Sequence, residues 1–274
     1  TYAGVVGQGV VNPVFADMAA RAQAVHLMGE PAVTEALEFR DGKLMLGRPS
    51  PLTAITFDNL RRLLGSGLER LLRESDGIAT VNWTMTLEMT TLWRRLAAEV
   101  LPGLRPDRPW WFVDLADPAK RTREDLLAAL AALRDVQRHA RVVLGLNGSE
   151  GRQVLTALGG IWSGDGEDTA SAVACAQAIR EKLGIECVMV HLVRSAACAL
   201  PDGAVGSGGF FEPRPLITTG AGDHFNAGFL AGILAGLPPA TCLLAGGASS
   251  GFYVRTGRSP ARSDLVGFLR QAAG

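Results

Sequence analysis

Beyond residue 53, short apolar segments alternate with longer segments in which apolar positions recur at helical spacing. The apolar segments are rich in β-branched and aromatic residues, which favour strands, and the longer ones are typical of helices that bury one face. Strands are predicted at 77–82, 110–115, 141–146 and 186–193, with helices between them at 85–100, 123–138 and 169–183. Strands joined by helices of this length form βαβ units, so we expect an α/β fold with a mostly parallel central sheet and helices on both faces.

The two ends of the chain follow other patterns. Asp41-Gly42 separates two segments of alternating character and predicts a half-exposed β-hairpin over 33–46, and a Gly- and Pro-rich segment predicts a hairpin or meander in 197–215. Helices are predicted near 13–24, 221–235, 239–252 and 263–271, and a short strand at 24–28. Because no linker or internal repeat divides the chain, we expect one domain spanning 1–274, with a small β lid around 25–56.

Composition and charge exclude several classes of function. The chain has 274 residues, of which 47% are hydrophobic, enough for a sizeable core. Lys plus Arg and Asp plus Glu number 27 each, without a long run of one sign, so we expect neither a nucleic acid nor a membrane surface as partner. The four cysteines lack metal-ligand spacing and are interpreted as free thiols, and no apolar stretch is long enough to span a membrane. These features predict a cytoplasmic protein.

The strongest candidate for chemistry is the segment GAGDHFNAG at 220–228, where a glycine-rich loop enters a predicted helix. Such a helix start directs free N–H groups and the positive end of the helix dipole at a ligand, which predicts an anion site. An Asp in the first turn faces the same spot, so Asp223 is a candidate base for a hydroxyl that attacks a phosphoryl group. The alternative makes Asp223 a helix cap or a favourable first-turn charge, and the sequence leaves both interpretations open.

Other strand ends also carry polar residues. Asn147 and Glu150 follow the strand at 141–146, where their oxygens suit a hydrated Mg²⁺, but their spacing is equally that of a helix-capping box. The segment 114–121 offers carboxylates and a basic pair for a metal or a phosphate, or simply a solvated loop with a salt bridge. Asn82-Trp83 ends another strand as a candidate substrate contact or as loop packing.

Motifs of other mechanisms are missing from the sequence. It contains neither a P-loop nor a G-x-S-x-G elbow, and the segment at 220–228 lacks the third glycine of G-x-G-x-x-G because Phe225 stands there. This counts against a dinucleotide-dependent oxidoreductase and a serine hydrolase.

Asn147-x-x-Glu150, followed about seventy residues later by the segment 220–228, resembles the paired motifs of the ribokinase-like sugar kinases, also called the phosphofructokinase B family. The resemblance covers nearly the whole chain. It implies a ribokinase-like fold, ATP and Mg²⁺ as cofactors, and transfer of the γ-phosphoryl to a hydroxyl of a sugar or nucleoside-like small molecule.

The resemblance also implies roles for single residues. Asp223 is the catalytic base; the amides of Gly220, Ala221 and Gly222 form the anion hole; and Asn147 and Glu150 manage Mg²⁺, through water, and phosphate. The segment 245–257 resembles the helix and loop that close over the adenine, and 190–194 stands where the family has Thr-x-Gly-x-x-Gly. The implied nucleotide-binding residues are Asn147, His191, Arg194, Gly247, Ser250 and Gly257, and the implied substrate or phosphate contacts are Asn82, Asp114 and Arg121.

One part of the family pattern is not found at the start of the chain. Residues 1–9 resemble the family's later Val-Gly-x-x-Gly stretch, and the hairpin at 33–46 resembles its lid, whereas the opening strand and the Gly-Gly-x-x-x-Asn run are not seen. We therefore expect a fragment that lacks much of its acceptor site and that forms a homodimer through the lid. The alternative function is that of a non-catalytic nucleotide- or metabolite-binding relic or sensor of the same fold.

Overall fold

The structure is a computed structural model that describes residues 1–162 and 168–272. The chain divides into two compact units, one comprising 1–75 and 82–107 and the other comprising 76–81 and 108–274. The expectation of one domain with a lid around 25–56 stays a prediction. In the described part of the chain, no helix combines the length and apolar character needed to cross a membrane. All four cysteines are free thiols and buried.

The first unit contains short strands and helices. β1 (Tyr2–Gly4) pairs in parallel with β2 (Val25–Leu27), and β3 (Val33–Phe39) forms an antiparallel hairpin with β4 (Gly42–Arg48). Its helices are α1 (Ala16–Arg21), α2 (Phe57–Leu64), α3 (Gly67–Glu74) and α4 (Met89–Glu99). The predicted hairpin is confirmed, whereas α2 and α3 were not predicted individually.

Residues 82–83 belong to this unit and directly precede α4. Asn82 has a left-handed backbone with φ of 63°, and its carbonyl accepts a hydrogen bond from the Thr86 amide. Trp83 is fully buried and donates its indole N–H to Thr90 Oγ1 at 2.8 Å. Trp83 is therefore a packing residue here, and the substrate role of Asn82 stays a prediction.

The second unit is built on a six-stranded sheet. The strand order is β10 (Gly203–Gly208), β9 (Ser195–Leu200), β8 (Cys187–His191), β7 (Arg141–Asn147), β6 (Trp110–Asp114) and β5 (Gly77–Thr80). Strands β5 to β8 are parallel, and β9 and β10 form the antiparallel hairpin expected after them. The mostly parallel sheet is therefore confirmed.

Helices cover both faces of this sheet. Five consecutive residues of β7, 142–146, are buried, which requires packing on both sides of the strand. The helices of the unit are α5 (Arg123–Gln137), α6 (Gly148–Ala157), α7 (Thr169–Leu183), α8 (Ala221–Leu234), α9 (Pro239–Thr256) and α10 (Arg262–Ala272).

Glycines bring α8 and α9 into close contact. A Cβ added to Gly228 would lie 2.6 Å from the Ala245 carbonyl oxygen, and one added to Gly232 would lie 3.0 Å from Cys242 Cα. The first distance is shorter than real Cβ contacts and the second is tighter than most of them, so glycine at both positions lets the two helices approach closely. This packing sets the position of the N-terminus of α8.

Candidate active site

The carboxyl ends of three neighbouring strands place polar residues along one edge of the sheet. Asp114 ends β6, Asn147 ends β7 and His191 ends β8, and the strand register pairs Asn147 with His191. Each follows an apolar run that is buried in the sheet, so the chain becomes polar where it leaves the core. Ligands of parallel sheets bind beyond this edge.

The first two turns of α8 pack against these strand ends. The His191 ring stacks on Phe225 with 5.2 Å between ring centroids, and Asn226 donates its side-chain N–H to Asp114 Oδ2 at 2.7 Å. A Cβ on Gly222 would lie 3.2 Å from His191 Cε1, which makes this a tight position for any side chain. The structure thus brings together the strand ends and the glycine-rich segment that the sequence had singled out separately.

The N-terminus of α8 presents backbone donors. Gly220 is the N-cap and has a left-handed φ of 89°, which favours glycine. The Ala221 amide donates to the Thr218 carbonyl at 3.1 Å, so in this structure it is engaged within the chain. The amides of Gly222 and Asp223 lie in the first turn, where a helix supplies no acceptor of its own. The anion-hole roles of Gly220 and Gly222 stay predictions.

Asp223 lies in the first turn of α8 and is exposed. Because Gly220 occupies the N-cap, Asp223 is not the capping residue, although its charge is favourable at this end of the helix dipole. No hydrogen bond or ion pair to another described residue engages its carboxylate. The group is therefore available to a ligand, and its role as a base stays a prediction.

Asn147 and Glu150 form the capping box of α6. Asn147 Oδ1 accepts the Glu150 amide at 3.0 Å, and Glu150 Oε2 accepts the Asn147 amide at 2.8 Å. The second oxygen of Glu150 accepts the Asp117 amide at 2.9 Å. Glu150 is 5% exposed and ties the start of α6 to the loop after β6. Glu150 thus has a structural role as a capping residue. Its role in holding magnesium stays a prediction, and each of its carboxylate oxygens keeps a further lone pair for it.

The loop after β6 holds two consecutive residues in a left-handed conformation. Ala116 has φ of 56° and Asp117 has φ of 65°, which costs roughly 1–2 kcal/mol per non-glycine residue. In this conformation the Ala116 amide donates a hydrogen bond to Asp114 Oδ1 at 2.8 Å, and the Asp117 amide donates one to Glu150 Oε1. Strain of this kind persists where surrounding contacts over-determine the backbone, and it is concentrated at functional sites.

Two buried carboxyl groups in this region have raised pKa values. The pKa of Asp114 is raised to about 6, first by burial and then by the negative charges of Glu150 and Asp223. Burial also raises the pKa of Glu150, and the charges of Asp117 and Asp223 add to that shift. Oxygen ligands with surplus negative charge suit a hard cation such as Mg²⁺. No three described His, Cys, Asp or Glu side chains are placed to hold a metal ion together, so we expect such a cation to be held through water.

A cavity of about 700 Å³ lies beside the N-terminus of α8, within the second unit. Its volume is in the range of small-molecule sites. Its walls come from the start of α6, the end of β8, the segment 208–215 and one face of α9. The predicted residues that line it are Asn147, His191, Ala221, Gly222, Gly247 and Ser250.

Other predicted contacts are engaged elsewhere. The Arg194 guanidinium lies 3.7 Å from the ring centroid of Phe211, which itself lines the cavity. Gly257 is the left-handed C-cap of α9, and Arg121 forms an ion pair with Asp125 at 3.2 Å. The binding roles of these residues stay predictions.

The structure adds cavity residues that the sequence analysis missed. Arg152 lines the cavity from α6 and lies 5.0 Å from the Trp162 ring centroid. His191 also lines it, but burial lowers its pKa to about 4 and keeps its ring neutral at pH 7. Arg152 is therefore the cationic side chain among the described lining residues. Arg152 lies one turn after Ser149 on the same helix face, which would have indicated it had the extent of α6 been predicted.

Arg255 holds the segment that forms the opposite wall. Its guanidinium donates to the carbonyls of Phe210 and Phe211 at 3.0 and 2.8 Å and forms an ion pair with Glu212 at 3.1 Å. Phe210, Phe211 and Glu212 all line the cavity. A single arginine on α9 thus shapes an aromatic wall, and no local sequence motif indicates these contacts.

Comparison with known proteins gives a family and a fold. The model of the prokaryotic ketohexokinase family matches residues 1–272. A ketohexokinase from Haloferax volcanii is 31% identical over 245 residues, covering 88% of this chain and 63% of the relative. The chain therefore spans less than two thirds of the length of that curated relative.

Solved structures are similar over most of the chain. A ribokinase from Thermotoga maritima has a TM-score of 0.61 and 17% identity, covering 88% of this chain and 70% of that one. A structure from E. coli in complex with ATP and Mg²⁺ has a TM-score of 0.61 and 14% identity, covering 91% and 74%. Identities this low establish the fold alone, and that fold is ribokinase-like, as expected. Together with the family match along the sequence, this shows that the chain belongs to the prokaryotic ketohexokinase family.

Proposed function

We propose that this chain carries the nucleotide-binding and catalytic site of an ATP-dependent carbohydrate kinase, which transfers the γ-phosphoryl to a hydroxyl of a ketohexose. Membership of the prokaryotic ketohexokinase family supports this reaction class and acceptor. The observation that carries the proposal is the exposed carboxylate of Asp223, which has no described partner and stands at a helix N-terminus whose residues line a large cavity.

The chemistry assigned to the chain is proton removal and positioning. Asp223 takes the proton of the acceptor hydroxyl as that oxygen attacks the phosphoryl group. The amides of Gly220 and Gly222, together with the helix dipole, stabilise the charge on the transferred group. Little covalent work falls to the protein in such a reaction, so most of the rate enhancement comes from geometry and charge.

The residues present fit ATP and Mg²⁺. The cavity has the volume and the aromatic wall expected of a nucleotide site, and the carboxylates of Asp114 and Glu150 offer the oxygen ligands that Mg²⁺ prefers. When bound, Mg²⁺ supplies positive charge that offsets the phosphate oxygens. We assign Asp114, Asn147 and Glu150 to holding it through water.

A screen of acceptors tests the proposed function. ADP release by the full-length protein would be followed with ketohexoses, aldohexoses and nucleosides, and ATP binding would be measured separately by calorimetry in the presence of Mg²⁺. We expect turnover with a ketohexose and much less with nucleosides. ATP binding without turnover on any acceptor would instead identify a nucleotide-binding relic or sensor.

Replacement of Arg152 tests the assignment of phosphate to the cavity. We expect Arg152→Gln to weaken ATP binding about tenfold, because a charge-assisted hydrogen bond to phosphate is lost, and to leave adenosine binding unchanged. Arg152→Lys keeps the charge and should stay within about threefold of the wild type. Equal losses for ATP and adenosine in calorimetry would show that Arg152 acts by packing on Trp162 rather than by binding phosphate.

We also propose that the chain forms a homodimer through the hairpin of β3 and β4. Side chains alternate between the two faces of this hairpin, and its register puts five large apolar residues on one face. They are Val33, Leu37, Phe39, Leu44 and Leu46, each between 45% and 62% exposed. An apolar patch of this kind is uncommon on a monomer, and a second copy of the same face covers it with two-fold symmetry.

A matched pair of substitutions tests the dimer. Leu44→Asp puts a charge on the apolar face, whereas Met45→Asp puts the same charge on the opposite face of the same strand, where Met45 is 48% exposed. We expect sedimentation to show a dimer for the wild type and Met45→Asp, and a monomer for Leu44→Asp. A monomeric wild type at about 50 μM would contradict the proposal, since the Kd of any dimer would then lie well above that concentration.

A further inference from the structure

Thr219 and Gly220 form the turn that directly precedes α8. Side chains from α8, α9 and the loop after α9 hold this turn. His224 Nδ1 lies 2.7 Å from the Gly220 carbonyl oxygen, and its Nε2 lies 2.9 Å from Ser259 Oγ. Tyr253 donates its hydroxyl to the Thr219 carbonyl at 3.0 Å. Neither His224 nor Tyr253 lines the cavity, so both hold the turn from outside it.

The contacts of His224 define its tautomer. A carbonyl oxygen can only accept, so Nδ1 must carry the proton and donate to Gly220. In the neutral ring Nε2 is then an acceptor, and the Ser259 hydroxyl donates to it. Ser259 thereby favours the tautomer that bonds to the turn.

Tyr253 adds a second restraint. Its ring stacks on His224 with 3.7 Å between ring centroids and an angle of 12° between planes. A Cβ on Gly220 would lie 3.2 Å from the Tyr253 hydroxyl oxygen, so the aromatic ring fills the space beside the left-handed glycine. The two rings form one block against the outer side of the turn.

Because the peptide group is planar, the hydrogen bonds to the carbonyls of the turn also fix the directions of its amides. In a trans peptide, the C=O of one residue and the N–H of the next point in opposite directions. With the carbonyls of Thr219 and Gly220 held toward Tyr253 and His224, the amides of Gly220 and Ala221 point away from them. The Ala221 amide closes the turn on Thr218, and α8 begins at a defined place.

We propose that His224 and Tyr253 are positioning residues for phosphoryl transfer, a role that rests on the proposed function of the chain. They hold the turn so that the amides of Gly220 and Gly222 and the carboxylate of Asp223 meet the reacting groups in one arrangement. Loss of this restraint moves the donors while leaving in place the parts of the cavity wall that come from α6, β8 and the segment 208–215. Displacements of about 1 Å at a catalytic site are enough to lower rates about a hundredfold.

Two substitutions at His224 separate positioning from packing. The side-chain amide of Asn can place its N–H near the position of Nδ1, so His224→Asn keeps the bond to Gly220, whereas Gln places its amide nearer Nε2 and loses that bond. We expect His224→Gln to lower kcat about 10- to 100-fold with the KM for the acceptor within about threefold, and His224→Asn to stay within about fivefold of the wild type. Tyr253→Phe keeps the stacking, loses the bond to Thr219, and should lower kcat by about tenfold.

Hydrogen exchange gives a readout that does not depend on turnover. The Ala221 amide, which donates to the Thr218 carbonyl, should exchange about tenfold faster in His224→Gln than in the wild type, and at the wild-type rate in His224→Asn. Unchanged exchange in His224→Gln, or an equal loss of kcat in the Asn and Gln variants, would overturn the inference. A wild type that turns over no acceptor yet shows the expected exchange pattern would refute the proposed function and leave the restraint on the turn standing.

Discussion

Asp223→Asn is expected to lower turnover by about two to four orders of magnitude while leaving the affinity for ATP nearly unchanged. Asn preserves the shape of the side chain but cannot take a proton from the acceptor hydroxyl. Because Asp223 is exposed and has no described partner, the substitution breaks no intramolecular bond and should leave the free energy of unfolding close to that of the wild type. Steady-state ADP release gives kcat, and calorimetry gives the Kd for ATP.

The control for this result is Asp58→Asn, which removes a negative charge from the start of another helix. Asp58 lies in the first turn of α2 in the first unit, where it forms an ion pair with Arg95. Asp58→Asn should leave kcat unchanged, because it removes the same charge from a comparable backbone position in the unit that holds none of the proposed catalytic residues. If Asp223→Asn kept wild-type turnover, the role of base would be wrong. If it lost ATP binding in parallel with turnover, Asp223 would serve binding instead.

Gly228→Ala is expected to lower the free energy of unfolding by about 3 kcal/mol, the upper part of the usual range for overpacking. The added Cβ would lie 2.6 Å from the Ala245 carbonyl oxygen and 2.9 Å from Ser249 Cβ, so α8 and α9 must move apart. Both neighbours are held by the helix backbone or attached directly to it, and neither can rotate away. Urea denaturation of the full-length protein measures the change.

Gly267 in α10 is a matched control for this substitution. It also lies inside a helix, but a Cβ added there meets nothing within 4 Å. Gly267→Ala should therefore raise the free energy of unfolding by about 0.5–1 kcal/mol through helix propensity alone. Equal effects at the two positions would contradict the close contact between α8 and α9. A displaced α8 should also lower kcat in Gly228→Ala, since Asp223 lies on the same helix.

The hydrophobic pattern was sufficient for the order of strands and helices in the second unit. The runs at 110–115 and 141–146 are apolar enough to be buried on both faces, and strands of that kind are found inside parallel sheets. The extent of α6 was not predicted, although the capping-box spacing of Asn147 and Glu150 indicated a helix start, because Gly148 and Gly151 interrupt its pattern and lower its helix propensity. This helix forms because the capping box of Asn147 and Glu150 stabilises its first turn and because its buried face packs within the second unit.

Spacing at strand ends was likewise sufficient to select several residues of the candidate site. Asn147 and His191 line the cavity, because the carboxyl ends of parallel strands meet at one edge whatever the intervening loops do. Gly222 lines it from the glycine-rich start of α8. Arg152 and the wall held by Arg255 were missed. Their contacts join segments whose proximity depends on how α6 and α9 pack.

The chain itself specifies, by its periodicity, an α/β protein, and its glycines and paired motifs predict a phosphoryl-transfer site at the start of one helix. These features are local, and a local pattern of apolar and polar residues constrains the backbone wherever it occurs. Folding alone decides that Tyr253 reaches the Thr219 carbonyl, that His224 reaches Ser259, and that burial and then the charges of Glu150 and Asp223 raise the pKa of Asp114. Those contacts join residues about 35 to 110 positions apart, and nothing in the spacing of such residues encodes a distance between them until the helices are packed.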